Sequence, residues 1–145
     1  MKTYFDHEKL DVYREAIDFC GWVGDFLATT PAKAAAKDQL DRASTSLPLN
    51  IAEGNARFSD ADRSRFLEIA RGSALECAAC LDVLVARRLI AAQRIVPAKE
   101  QLVRIVKMLM GMLKRFSGRA EFLREDEGTY PSEYDHDHEH EQEHE

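Results

Sequence analysis

The sequence predicts an all-α fold, an antiparallel up-and-down four-helix bundle. Three observations carry this expectation. Four long stretches place apolar side chains at the i, i+3, i+4 spacing of one helical face. No window alternates apolar and polar residues between turn signals, so no sheet is expected. Only four prolines and seven glycines occur in 145 residues, so little of the chain is built for turns, and short links favour up-and-down neighbours.

The first helix is expected from about Asp6 to Thr29, with Asp6 as its N-cap. Tyr13, Ile17, Cys20, Gly24 and Leu27 form one stripe; Val12, Phe19, Trp22 and Phe26 form another. One bundle seam cannot bury both. The first stripe is assigned to the core. The surplus at Val12, Phe19, Trp22 and Phe26 is assigned to a subunit interface. The second helix starts at Pro31, carries Leu40, Ala43, Leu47 and Ile51 inward, and stops at Gly54. Pro48 lies inside it, where its ring deletes one hydrogen bond, frees the carbonyl of Ser44 and bends the helix.

Ser59 or Asp60 caps a third helix that should reach about Ile90. Between Ala70 and Cys80 its residues are mostly small, so a neighbouring helix can approach closely. The fourth helix begins near Pro97 and runs to about Phe116, with Leu102, Ile105, Leu109, Met112 and Phe116 inward and Gly118 as its stop. Residues 1–124 form the bundle domain. Residues 125–145 are a low-complexity acidic and histidine-rich tail, expected to be disordered.

The residue inventory narrows the chemistry. Four of five histidines (His136, His138, His140, His144) lie in the tail and the fifth is His7, so the bundle body has none. That excludes Glu-x-x-His di-iron sites, H-E-x-x-H zinc sites and Ser-His-Asp or Cys-His nucleophile sets inside the fold. No phosphate-binding glycine loop is present. Cys77 and Cys80 form a lone C-x-x-C without the second pair that a structural zinc needs, and are read as small core residues. Glu53 and Glu76 are paired-carboxylate candidates, against the reading that Arg57 or Arg71 and Asn50 satisfy them. No catalytic residue, metal or cofactor is expected. No leader or membrane-spanning run is seen, so the expected location is the cytoplasm.

Charge is the informative feature. The net charge is −6, but residues 125–145 hold ten acids and no Lys or Arg, so all 20 bases face the other 16 acids in residues 1–124. Seven bases fall between Arg94 and Arg119, with Glu100 the one acid among them. Arg104, Lys107 and Lys114 share a helical face; Arg115 adjoins it, and Arg87 and Arg88 lie upstream. A stripe of one sign suits phosphate or an acidic partner; the bland alternative is a solvated face. Aromatic residues do not interleave with it. The tail is read as a solubilising tether, a weak metal binder, or a mimic of nucleic acid that lies across the basic helix.

Two motifs remain, Ser46-Leu-Pro-Leu-Asn-Ile-Ala-Glu-Gly54 and Phe66-Leu-Glu-Ile-Ala-Arg-Gly-Ser-Ala-Leu-Glu76, after the start Leu10-Asp-Val-Tyr13. Over about residues 5–118 the chain resembles the 23S rRNA intervening sequence proteins, also called four-helix bundle proteins. The resemblance implies a bundle assembling as a homopentameric ring. It also implies kinship with the accessory variability determinant proteins of diversity-generating retroelements, basic pentamers that bind nucleic acid and a reverse transcriptase. It implies no catalytic residue. Pro48, Asn50, Glu53, Gly54, Ser73 and Glu76 are the structural motif residues, with a polar network among Asn50, Glu53, Ser73 and Glu76 either within or between subunits. The expected function is a non-enzymatic nucleic-acid-binding accessory ring, its partners being further copies of itself and RNA, DNA or a nucleic-acid-handling protein. A protein-interaction scaffold is the alternative.

Overall fold

A computed structural model describes residues 2–30 and 34–117. The expected tail, Pro31 as a helix start and Gly118 as a stop lie outside the described residues. Among the described residues there are four α-helices: α1 (Asp11–Thr29), α2 (Ala35–Ala56), α3 (Asp60–Ala86) and α4 (Val96–Ser117). Short 3-10 turns at Asp6–Lys9 and Ala92–Ile95 precede α1 and α4. Among the described residues there is no strand. Nor is any helix there long and apolar enough to cross a membrane.

The start of the chain departs from expectation. Asp6 opens the 3-10 turn and does not cap α1; its carboxylate accepts from Asn55 Nδ2 at 3.0 Å. Glu8 supplies the capping carboxylate, accepting from the backbone N–H groups of Tyr4 and Phe5, and those bonds hold its pKa below the ordinary value.

The core stripe of α1 is the one assigned to an interface. Val12, Ala16, Phe19, Val23 and Phe26 repeat at spacings of 4, 3, 4 and 3 and are buried within the single chain. Phe19, Trp22 and Phe26 stack in sequence, with centroids 6.2 and 4.8 Å apart. Val12, Phe19 and Phe26 are therefore unavailable to a neighbour, and Trp22 is half-buried against the core. The stripe expected inside instead lies at its edge, with Ile17 and Gly24 exposed. The reason is volume: a glycine and a cysteine cannot fill the space that two phenylalanines fill.

Pro48 sits inside α2, buried. The carbonyl it deprives of a donor, that of Ser44, accepts from the Cys20 thiol of α1 at 3.0 Å. A defect in one helix is thus repaired by its neighbour. Cys20→Ala is expected to cost about 1 kcal/mol by stranding that oxygen. It should cost almost nothing beside Pro48→Ala, which restores the helical N–H; a double-mutant cycle by denaturant unfolding measures the difference.

Gly54 is not a stop, because α2 continues to Ala56. It is a crossing point. A Cβ there would stand 3.2 Å from Phe66 Cβ and 3.3 Å from the Arg63 carbonyl oxygen of α3. Gly54→Val, which sets a branched side chain against that backbone, should destabilise by about 1–3 kcal/mol. The small residues of α3 serve the same close crossing: Ala70, Ser73, Ala74, Cys77 and Cys80 are buried.

Ser59 caps α3, its hydroxyl accepting from the Asp62 N–H at 3.1 Å. The helix ends at Ala86, short of Ile90, because Arg88 takes φ 59°. Leu89 N–H then reaches the Leu84 carbonyl and Arg88 N–H the Val85 carbonyl, the paired bonds of a Schellman cap. Glycine usually fills that left-handed position. Arg88→Gly is therefore expected to raise stability by roughly 0.5–1 kcal/mol, read as a higher thermal midpoint. Pro97 stands in the first turn of α4. The inward residues of α4 are Ala98, Leu102, Ile105, Val106, Leu109 and Leu113. Met112 and Phe116, expected inside, are half-buried at its border.

Candidate nucleic-acid interface

At 100° per residue, Arg104, Lys107, Lys114 and Arg115 fall within an arc of about 100° on α4. Arg104, Lys107 and Arg115 are exposed and Lys114 is half-buried. Arg104 stands 3.8 Å from Glu15 of α1 with 57% of its side chain exposed, a loose surface pair that leaves most of its donors to solvent. Lys99 lies off this face and is bound to Asp82 of α3 at 2.6 Å.

Three expected members of the set sit elsewhere. Arg94 precedes α4; its guanidinium covers the Phe26 ring at 4.8 Å and donates to the Thr29 hydroxyl, so it fastens the end of α1. Arg87 and Arg88 form the cap of α3. Arg94 and Arg115 lie at opposite ends of a helix that rises about 30 Å between them, so these residues do not make one patch.

Six residues outside the expected set gather beside it. At the C-terminal end of α4, Phe116 lies under two guanidiniums, Arg115 at 5.7 Å and Arg63 of α3 at 5.3 Å. Arg63 Nε donates to the Arg57 carbonyl at 2.7 Å, which ties it to the α2–α3 corner. There Arg57 at 4.6 Å and Arg65 at 5.1 Å both lie over the Phe66 ring, and Phe58 is fully exposed. The basic face of α4 thus meets a corner of arginines and aromatic rings. These residues lie about 50 positions upstream, and only the crossing of α3 on α4 joins them.

The motif network is smaller than expected and lies within one chain. Asn50 Nδ2 donates to the Ser46 carbonyl and hydroxyl, both at 2.9 Å, and Ser73 Oγ meets Ser46 Oγ at 3.0 Å. Glu53 leaves the network for Arg57 at 2.7 Å, and Glu76 is exposed outside it. Arg71 pairs with Glu68. The two glutamates therefore do not form a carboxylate pair in a cleft.

All three cysteines are reduced. Burial pushes each thiol up, Cys77 to about 12, with Cys80, Cys20 and Glu76 adding smaller upward contributions there. Such thiols are poor nucleophiles and poor metal ligands at neutral pH. Among the described residues no cluster of His, Cys, Asp and Glu can hold a metal ion. The pH consequence has a definite sign. An unfolded thiol ionises near its ordinary 9.0, whereas folded Cys77 holds its proton to about 12. Its contribution is intact below pH 9 and is lost as pH rises across that window. Stability measured from pH 8 to 11 should fall less steeply in Cys77→Ala.

Between α3 and α4 runs a groove of ≈ 730 Å³, lined by the apolar Leu75, Ala78, Val103, Val106 and Met110 and by the charged Asp82, Lys99, Lys107 and Lys114. Val103 and Leu75 are 51% and 38% exposed, so this is bare apolar surface on the single chain.

The family model for the 23S rRNA-intervening sequence protein matches residues 8–111. Among solved structures, a protein of unknown function from the S23 ribosomal protein family of Bacteroides thetaiotaomicron superposes with a TM-score of 0.67. It is 23% identical, with 71% of this chain and 98% of that one covered. At that identity the likeness speaks for the fold alone. No curated protein matches. The matched span holds both motifs and all four helices up to Gly111, and the chain belongs to the 23S rRNA-intervening sequence protein family.

Proposed function

We propose that this chain is a non-enzymatic nucleic-acid-binding accessory protein that works as a ring of copies, five by family resemblance. The observation that carries the reading is the α4 face: Arg104, Lys107, Lys114 and Arg115 lie on one outward arc with Glu100 as its single acid. Repeated around a ring, such a face multiplies a modest positive potential into one that holds a phosphate backbone. An up-and-down antiparallel course for the bundle is part of this reading. It is supported by pairs that run in opposite senses, Asp6 with Asn55 and Cys20 with Ser44, then Asp82 with Lys99 and Arg63 with Phe116.

The ring needs a contact surface, and the buried aromatics of α1 do not provide it. The α3–α4 groove does, since an apolar strip of this kind marks a partner surface. Val103→Glu is expected to convert the assembly to a particle near 16.5 kDa in light scattering while leaving helical content intact. An assembly unchanged by that substitution would move the contact elsewhere. The same groove favours a second reading, a scaffold that seats an apolar helix of another protein. Salt-sensitive binding of mixed-sequence RNA or DNA by the full chain supports the first reading, and its absence supports the second.

A further inference from the structure

We propose that the α2–α3 corner is a base-stacking site for single-stranded nucleic acid, with Phe58 as its platform; this rests on the nucleic-acid reading and names where and in what form the strand is held. Phe58 is 100% exposed, whereas Phe66 and Phe116 are covered by guanidiniums. The segment that carries it is fixed on both sides. Arg57 N–H bonds the Gly54 carbonyl, Arg57 C=O accepts from Arg63 Nε, and Ser59 caps α3. A ring displayed on a fixed corner loses little freedom when a base settles on it.

The surroundings indicate the kind of ligand. Arg57, Arg63 and Arg65 are gathered within two turns of the corner; Arg57, already paired with Glu53 at 2.7 Å, and Arg65 both stack on the Phe66 ring. A guanidinium stacked on an aromatic face keeps its edge donors for a phosphate fork. Arg65 and Arg115 face no carboxylate within ion-pair distance among the described residues, and Arg63 meets Asp60 only at 3.6 Å. The corner is also continuous with the α4 face through Arg63 and Phe116. An exposed ring beside backbone-binding cations is the combination that holds a single strand: phosphates along the basic face, a base on the ring. A duplex buries its base faces and offers the ring nothing.

The test uses the full chain and a short mixed-sequence oligonucleotide carrying 2-aminopurine, whose fluorescence is quenched by stacking. Phe58→Ala should weaken single-strand binding by about 5- to 150-fold and abolish the quench, without changing the salt slope. Phe58→Trp should retain both; Phe58→Leu, apolar but without a π face, should retain neither. Arg65→Ala should instead lower the salt slope by about 0.7. Duplex binding should be indifferent to Phe58. If the parent chain binds in a salt-sensitive way and Phe58→Ala binds equally well, this inference fails while the proposed function stands. If the parent chain does not bind, both fail. Restoration by Phe58→Leu, or a change in assembly mass in Phe58→Ala, would make the residue an apolar protein contact and overturn the stacking site.

Discussion

Phe19→Ala is expected to lower the stability of the fold by about 3–5 kcal/mol. That is a large share of the roughly 5–15 kcal/mol that holds a domain together. Phe19 is fully buried within one chain and stacks on Trp22, which stacks on Phe26. Truncation empties space between α1 and the rest of the core and also ends the ring ladder. Denaturant unfolding at several protein concentrations measures it. A core residue shifts the midpoint by the same amount at every concentration. A subunit-contact residue would lower the assembly mass while leaving the protomer nearly as stable, and that outcome would move Phe19 from the core to an interface.

The two faces of α1 mark the limit of what its sequence discloses. Both stripes are apolar, so periodicity alone leaves the choice open. Ala16 and Val23 complete the buried stripe at regular spacing, and the rival stripe depends on Gly24, which has no side chain to pack. Pro48 is legible because its effect is local: the loss at Ser44 follows from geometry four residues away. Its repair by Cys20 is not, since the thiol comes from another helix. The end of α3 falls short of its expected position because a Schellman cap is usually announced by glycine, and here an arginine holds the left-handed position. Gly54 stands out in the sequence, but its smallness serves a helix crossing and not a terminus. On α4, spacing places Arg104, Lys107, Lys114 and Arg115 together. The same arithmetic cannot show that Arg94 is occupied by Phe26 or that Arg63 arrives from α3.

The second large effect concerns binding. Four phosphate contacts to a single strand give a salt slope of about −2.8, so affinity should fall about 50-fold between 50 and 200 mM salt through these contacts alone. Replacing Arg104, Lys107, Lys114 and Arg115 by Ala should remove that dependence. The Arg104–Glu15 pair it breaks is an exposed one that contributes little to stability. We further expect that deleting residues 125–145, which carry ten acids, raises the affinity of the parent chain. The same deletion should leave the four-alanine variant unchanged, since ten carboxylates can compete only for cations that are present.

The most direct measurement is the affinity of the full chain for a mixed-sequence single strand at 50, 100 and 200 mM salt, beside the four-alanine variant with its helical content verified. A nucleic-acid-binding α4 face predicts a steep loss with salt in the parent chain and a slope shallower by about 3 in the variant. Equal slopes in the two proteins, or no binding by the parent chain at the lowest salt, would contradict it.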